Sequence, residues 1–593
     1  MFARVIRNGL QQRRHISNGA NIMLKTLKKN DVEDLFIYSG GSVMSFIDGL
    51  YKNPHFKYYI NTNEHNLGMA AVGYAKTSER TGVCMVTSGP GVTNMLTPIA
   101  DAYFDSTPLV VISGQVGQHA IGTNAFQEAP ATALTKPITK WNYLVEHINV
   151  LEDVINEAFK IANEGKKGPV HIDIPKNIAD QHLTPEGPFY FRDFNSVKPQ
   201  PKLCKNKINE VAKLIKKAKS PIIYLGKGAK ESYEKVRTFV YKSNIPVTST
   251  IHGCGVFPET HDLSLRWLGM HGHPAANYAI QQADLIIALG SRFDDRTTGN
   301  IEKYAPQAFK AAEEERGGIV HVNIEEPELN FVINSHYNFC ADVGDWVDAI
   351  LPKINTIHRP LWFEFINDMK EEYDFEMKKD EKNIHMEHVL DAIYRKTKFH
   401  DAIFTTGVGN HQMQAYQFIK SDYPGKIISS GSLGVMGAGL PYAIGAQIAN
   451  PKKMVCLIDG DGSFNMTLND LKTIVEYNLP IKIFIMNNSV QAMVNVWEKL
   501  FYNNRITATE NNNNPNYDDL AKSFGISAIK CTKGSDVESF VEAVINFDGP
   551  ILCEFKIEND YCLPLVAPGK ALDDMILNMD DETSNMLTGI APS

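Results

Sequence analysis

Closely spaced cysteine pairs are missing from this chain of 593 residues. Its eight cysteines, at positions 84, 204, 254, 340, 456, 531, 553 and 562, include no CxxC, and several stand inside apolar stretches. That sets aside a zinc knuckle and a disulfide framework, and reads as reduced core thiols in a reducing compartment. Long apolar runs are missing as well; none approaches a membrane span, so no membrane partner is expected. Positive charge is in deficit, with 59 Lys and Arg against 68 Asp and Glu, a net charge of −9 and no basic stripe, which argues against nucleic acid as a partner. What remains is ordinary: 43% hydrophobic and 21% charged residues describe a soluble globular protein. The length predicts three or four domains with ample core.

Acid is absent from the first thirty residues, where Arg4, Arg7, Arg13, Arg14, Lys25, Lys28 and Lys29 precede Asp31. Phe2, Val5, Ile6 and Leu10 can share a helical face, and Arg13–Ser17 resembles a processing site. An Arg-rich, acid-poor amphipathic start reads as a mitochondrial transit peptide over residues 1–23. A disordered basic tail, or translation from Met23 with a cytoplasmic location, is the plain alternative.

Two polar turns carry the chemistry. Val455-Cys456-Leu457-Ile458 leads into Gly460-Asp461-Gly462-Ser463, and Ile481–Met486 leads into Asn487-Asn488 one helix-sized gap later. The pattern reads as strand, turn, helix, strand, turn. Both turns then fall at carboxyl ends of parallel strands, where open α/β sheets bind ligands. Asp461 and Asn488 supply a carboxylate and an amide oxygen, hard ligands for Mg²⁺ that leave it free to take phosphate oxygens. An ordinary Gly/Asp turn beside a chance Asn pair is the competing reading.

This turn pair resembles the diphosphate motif of thiamine-diphosphate (ThDP) enzymes. Further motifs agree in order: Thr62-Asn63-Glu64-His65, Val86-Thr87-Ser88-Gly89-Pro90-Gly91, Pro108–Gln115, Ile121–Glu128, Leu268–Gly272, Gly290–Arg296 and Gly431–Gly437. Together they resemble the acetolactate synthase catalytic subunit, from about Leu24 to Leu565. The resemblance implies a three-domain α/β architecture, each domain a doubly wound, mostly parallel sheet with flanking helices. A pyrimidine-binding domain would span 24–183, a linker 184–204, an FAD-binding domain 205–351, a linker 352–384, a diphosphate and Mg²⁺ domain 385–565, and a tail 566–593. The Asn511–Asn514 run reads as a surface loop tip.

Site residues follow from the resemblance. Glu64 would hydrogen-bond the aminopyrimidine ring and promote loss of the thiazolium C2 proton; acid–base assistance of this kind is worth roughly 10²–10⁴ in rate. A helix N-terminal Glu placed for the dipole alone is the alternative. Pro90, Gln127, Asn410, His411, Gly434, Met436, Gly462, Ser463, Asn488 and Met493 would complete the ThDP site, with Met436 bending the cofactor. Asp461, Asn488 and the backbone oxygen of Val490 would hold Mg²⁺. FAD would lie against Ser106, Gly226, Gly228, Thr250, Ile251, His252, Gly253, Leu268, Gly269, Met270, His271, Gly290, Arg292, Asp294, Asp295, Arg296, Asn323, Asp342 and Val343, in a structural role.

Phe126, Lys176, Arg296 and Trp497 match substrate residues. Arg296 would fork onto a 2-oxo acid carboxylate, which Lys cannot copy, and Trp497 would shape the acceptor site. A core tryptophan and an arginine paired with Asp294 and Asp295 are the plain alternatives. Several positions depart from the family pattern: Asn410 for Gln, Asn323 for Asp, Lys227 for Gly, His119 for Arg, Ser39 for Pro, Asn63 and His65 around Glu64, and Ser489–Ala492 for Gln-His-Leu-Gly. The expectation is a pyruvate-decarboxylating carboligase of branched-chain amino acid synthesis, acting on 2-oxo acids as a homodimer or homotetramer, with room for a regulatory small subunit. Another ThDP-dependent 2-oxo acid decarboxylase or carboligase, a pyruvate oxidase, and a weakly catalytic regulatory paralogue stay open.

Overall fold

A computed structural model describes residues 18–183, 201–375 and 377–579. The basic leader up to residue 17, the linker stretch 184–200 and the end of the tail from 580 lie outside the described residues. The chain falls into two compact units, one on either side of residues 184–200.

The first unit holds one six-stranded sheet: β1 (Asp34–Ile37), β2 (Lys57–Tyr59), β3 (Gly82–Val86), β4 (Leu109–Gln115), β5 (Trp141–Leu144) and β6 (Pro169–Pro175), in the order β2-β1-β3-β4-β6-β5. All its pairings are parallel. The Leu-Val-Val-Ile run of β4 is buried throughout because helices cover both faces of a parallel sheet. One of them, Leu151–Asn163, buries Leu151, Val154, Ile155, Ala158, Phe159, Ile161 and Ala162, a stripe at helical spacing. Each large aliphatic in that stripe contributes about 1.5–3 kcal/mol by leaving water.

The second unit holds two more all-parallel sheets of six strands. Strands β7 (Pro221–Leu225), β8 (Val247–Ser249), β9 (Ser264–Trp267), β10 (Leu285–Leu289), β11 (Gly318–Asn323) and β12 (Tyr337–Cys340) run β12-β11-β10-β7-β8-β9. Numbered within its own domain and read from the other edge, that order is 3-2-1-4-5-6, the dinucleotide-binding arrangement. Strands β13 (Ala402–Thr406), β14 (Ile427–Ile428), β15 (Met454–Gly460), β16 (Lys482–Asn487), β17 (Ser527–Cys531) and β18 (Ile551–Lys556) run β14-β13-β15-β16-β18-β17, the same order as the first sheet.

Three expected boundaries shift. The leader ending at residue 23 cuts a helix, Gly19–Lys29, whose Ala20, Ile22 and Met23 are buried in the first core. The linker 352–384 contains a helix, Pro360–Glu372, that belongs to the middle core: Trp362 and Ile366 are buried, and Trp362 Nε1 donates to Pro221 O at 3.0 Å. Phe365, stacked on Trp362 at 5.4 Å, and Met369 pack on the same core, so an apolar stripe at helical spacing anchors it. The tail boundary at 565 splits a short hairpin, since β19 (Leu565–Val566) pairs antiparallel with β20 (Met575–Ile576) and Leu572 enters the middle core. Among the described residues no helix is long and apolar enough to cross a membrane.

Candidate active site

In the third sheet the chain leaves β13 toward β14 on one side and toward β15 on the other, so the β13/β15 seam is a switch point at which open α/β sheets bind ligands. The turn after β13 opens the helix Asn410–Phe418, and the turn after β15 opens at Asp461. The two turns press together: a Cβ on Gly407 would lie 2.0 Å from Asp459 Oδ1 and 2.1 Å from Ser463 Oγ, so only glycine fits. Ser463 Oγ accepts from Gly437 N at 2.9 Å, which draws the Gly431–Gly437 loop onto the same seam. The Met436 methyl carbon stands 3.8 Å from the position a Cβ on Gly462 would take. Asn410 and His411 are both buried in the first turn of their helix. His411 Nε2 lies 3.2 Å from Asp459 Oδ1 without the alignment of a hydrogen bond, and Asp459 Oδ2 is buried with no hydrogen-bond partner among the described residues.

Asp461 is 1% exposed. Its Oδ2 accepts from Asn514 Nδ2 at 2.7 Å and Asn511 Nδ2 at 3.2 Å, so amides are its recorded partners among the described residues. Burial pushes its carboxyl pKa up, and the two amides offset part of that. On the adjoining strand β16, Asn487 is fully occupied, donating to Glu554 Oε1 at 2.6 Å and accepting from Ser489 N at 3.0 Å. Among the described residues Asn488 Oδ1 accepts only the long 3.2 Å bond from Val490 N. A buried carboxylate without a countercharge, next to an amide oxygen with spare capacity, fits a hard divalent cation. Positive helix ends and turn amides suit the diphosphate that such a cation would carry.

The Asn511–Asn514 run is therefore not a free loop tip. Asn512 and Asn513 are exposed, but Asn511 and Asn514 point inward onto Asp461. An antiparallel bridge between Val490 and Glu510 holds that segment against the turn after β16. These two asparagines, and Asn94 below, are site residues that sequence reasoning missed. The run of four amides was the available signal.

In the first unit Glu64 opens the helix Glu64–Thr77, capped by Asn63 Oδ1, which accepts from Asn66 N at 2.8 Å. Glu64 is 8% exposed, and its Oε2 accepts from Asn94 Nδ2 at 2.9 Å. Burial lowers the pKa of the neighbouring His65. Gly89 packs against Gln127, which carries a φ of 62°. Phe126 is 89% exposed, and Lys176 stands exposed at the first position of the helix Lys176–Asp180. Ser106, also in this unit, precedes β4 with a φ of 51°.

The remaining FAD candidates follow the six strands of the middle sheet in turn. Gly226 and Gly228 follow β7; Thr250–Gly253 follow β8; Leu268–His271 follow β9; Gly290–Arg296 follow β10; Asn323 ends β11; Asp342 and Val343 follow β12. Cβ atoms on Gly226 or Gly290 would sit 2.2 and 2.5 Å from the opposing turn, so these glycines let the β7 and β10 turns meet at the switch point. Asn323 Nδ2 donates to Ser291 O at 3.0 Å and Asp342 Oδ1 caps its helix by accepting from Gly344 N at 2.7 Å, so both shape the edge itself. Arg292 Nη2 donates to Ser432 Oγ at 2.8 Å, tying this edge to the Gly431–Gly437 loop. A six-turn edge of this order fits a flavin dinucleotide.

Arg296 and Trp497 line one cavity of about 330 Å³, with Met270, Asp295, Gly299 and the segment Val566–Gly569. Arg296 Nη1 lies 3.1 Å from Met270 Sδ, and its Nε is 3.7 Å from Asp295 Oδ2 in a largely exposed pair. Trp497 packs edge-on against Phe501 at 5.3 Å. A larger polar cavity, about 480 Å³, opens beside Asp34, Glu79 and Arg80 at the opposite edge of the first sheet from its strand carboxyl ends.

Switch-point edges on parallel sheets suit phosphate-bearing cofactors, and family comparison gives the class, a thiamine-diphosphate enzyme. The thiamine pyrophosphate enzyme models match the N-terminal TPP binding domain at residues 17–134, the central domain at 208–350 and the C-terminal TPP binding domain at 407–555. Relatives include the mitochondrial acetolactate synthase of Schizosaccharomyces pombe, 39% identical over 94% of this chain and 86% of its own length. The mitochondrial catalytic subunit of Saccharomyces cerevisiae is 39% identical over 96% and 85%, and chloroplastic acetolactate synthase 1 of Zea mays is 39% identical over 95% and 89%. The chain belongs to the acetolactate synthase family.

Proposed function

We propose that this chain decarboxylates pyruvate and joins the remaining two-carbon unit to a second 2-oxo acid, forming 2-acetolactate from pyruvate or 2-aceto-2-hydroxybutanoate from 2-oxobutanoate. That is the first common step of branched-chain amino acid synthesis. The observation that carries the reading is the buried Asp461, met only by neutral amides among the described residues, on the turn after β15 next to the β16 turn that carries Asn488.

Asp461, Asn488 and the Val490 carbonyl would hold Mg²⁺, and Asn410, His411, Gly462 and Ser463 would receive the diphosphate. Bound thiamine diphosphate supplies a carbon nucleophile that also takes up the electron pair released when carbon dioxide leaves. Glu64, buried at the start of its helix, would hydrogen-bond the aminopyrimidine ring and assist loss of the C2 proton. The turns of the middle sheet would hold FAD in a structural role, at the edge that Arg292 and Ser432 tie to the cofactor loop. Arg296 meets the acceptor carboxylate and Trp497 its alkyl end, inside the cavity they share. The protein works as a homodimer or homotetramer, with a regulatory small subunit as partner and a mitochondrial location. Its mitochondrial fungal relatives and its basic start support that location.

Product analysis by mass spectrometry tests the reading. Purified protein given pyruvate, thiamine diphosphate, Mg²⁺ and FAD yields 2-acetolactate and carbon dioxide. Acetaldehyde as the main product, or peroxide formed one-for-one with carbon dioxide, overturns it.

A further inference from the structure

Outside both ligand-binding edges, three ionisable side chains converge where the third domain begins. His385 caps the helix Met386–Thr397 and Glu387 lies in its first turn, while Asp560 follows β18. A parallel bridge between Ile384 and Ile557, with Glu558 N donating to Ile384 O at 2.9 Å, holds the two segments in register. One ligand atom from each of the three lies within 4.8 Å of the others. His385 Nδ1 is 2.7 Å from Asp560 Oδ2, and Lys378 Nζ reaches Asp560 Oδ1 only at 4.0 Å. Glu387 is 5% exposed, yet its Oε2 has no hydrogen-bond partner among the described residues.

A buried carboxylate oxygen without a donor is costly, and native folds rarely retain one without a function. We propose that His385, Glu387 and Asp560 form a structural site for a divalent cation of the zinc type. One imidazole nitrogen and two carboxylates neutralise a doubly charged ion. That mixed set suits Zn²⁺ and disfavours Mg²⁺ and Ca²⁺, which prefer oxygen alone. Around tetrahedral zinc, ligand atoms stand about 3.4 Å apart. The His385–Asp560 contact would open by under about 1 Å while Glu387 closes in, and water would take the fourth place. The ion would fasten the segment 557–564 to the start of the third domain. That segment runs on into the cavity-lining Val566–Gly569, and its Cys562 and Pro564 carbonyls meet His271 Nδ1 at 3.1 Å. The site stands independently of the carboligase reading.

The test is zinc content by mass spectrometry after gel filtration of full-length protein, with Mg²⁺ and thiamine diphosphate present throughout so that the Asp461 site is engaged. Wild type is expected to retain one zinc per chain. Glu387→Gln keeps the side-chain volume and removes the buried charge, so it folds; it and His385→Ala should each weaken zinc binding at least tenfold, with bound thiamine diphosphate unchanged. Zinc should raise the unfolding temperature of wild type and leave that of Glu387→Gln unmoved. No zinc in wild type, or equal zinc in wild type and both variants, overturns the proposal.

Discussion

Glu64 shows how little a residue's type says without its surroundings. At 8% exposure, with Asn94 as its recorded donor, it is a carboxyl kept from water at a helix start. Glu64→Gln preserves that packing and removes the proton site. It should therefore leave the fold and cofactor binding intact and slow C2–H/D exchange of bound thiamine diphosphate by about 10² or more. NMR measurement of that exchange decides, and a wild-type rate ends the assignment. Asp461 makes the complementary case, because on the proposed reading its carboxylate is the charge that would hold the ion. Asp461→Ala should lose thiamine diphosphate on gel filtration, and a chelator should remove wild-type activity that Mg²⁺ then restores.

At the scale of elements, turns brought together by the sheets make the site. Asn511 and Asn514 sit on a segment that the bridge at Val490–Glu510 folds over Asp461. Hydrogen bonds to a charged group are each worth about 1.5–3 kcal/mol. Without them Asp461 in the cofactor-free protein is left bare, whereas a bound cation would compensate it. The double variant Asn511→Ala, Asn514→Ala should thus show a larger rise in unfolding temperature on adding Mg²⁺ and thiamine diphosphate than wild type; an equal rise in calorimetry would mean the amides do not serve Asp461. The cavity between the Ala492–Phe501 helix and the turn after β10 makes a second prediction. An apolar wall gains about 0.8 kcal/mol per buried methylene. Equal pyruvate and 2-oxobutanoate should then give roughly four-fold more 2-aceto-2-hydroxybutanoate, and Trp497→Leu should erase the bias. Equal products from wild type would show that Trp497 is not the acceptor wall.

For the molecule as a whole, stability should depend on pH through the burial of a histidine that meets one of the chain's last described segments. His271 Nδ1 lies 3.1 Å from the Cys562 and Pro564 carbonyls, and burial lowers its pKa to about 4. The folded state thus binds this proton less tightly than the unfolded chain, whose histidines titrate near about 6.5. Its contribution is fully present above the unfolded value and is lost as pH falls through the folded one, up to about 3 kcal/mol. Urea midpoints measured from pH 7.5 to 4.5 should fall, and His271→Gln should flatten that fall. An unchanged slope in the variant would assign the acid sensitivity to other groups.

Periodicity and turn chemistry, which are local, were enough to mark β15 and β16, the helix opening at Glu64, and the alternation of strand and helix. A strand buried on both faces must be apolar along its length, and a turn that meets a diphosphate must be small and polar; both demands leave marks in adjacent residues. The sequence by itself therefore determined the sheets' class and marked the polar turns that carry Asp461 and Asn488 and the glycine turn after β7. Contacts between distant segments were decided only by tertiary structure. Nothing local says that Asn514 folds back 53 positions onto Asp461, that Trp362 docks at Pro221, or that Arg296 and Trp497 share a cavity. The physical reason is the same in each case: such pairings are selected by what the packed sheets leave unsatisfied, a bare carboxylate or an uncovered apolar edge, and that residue of need exists only once the sheets have formed.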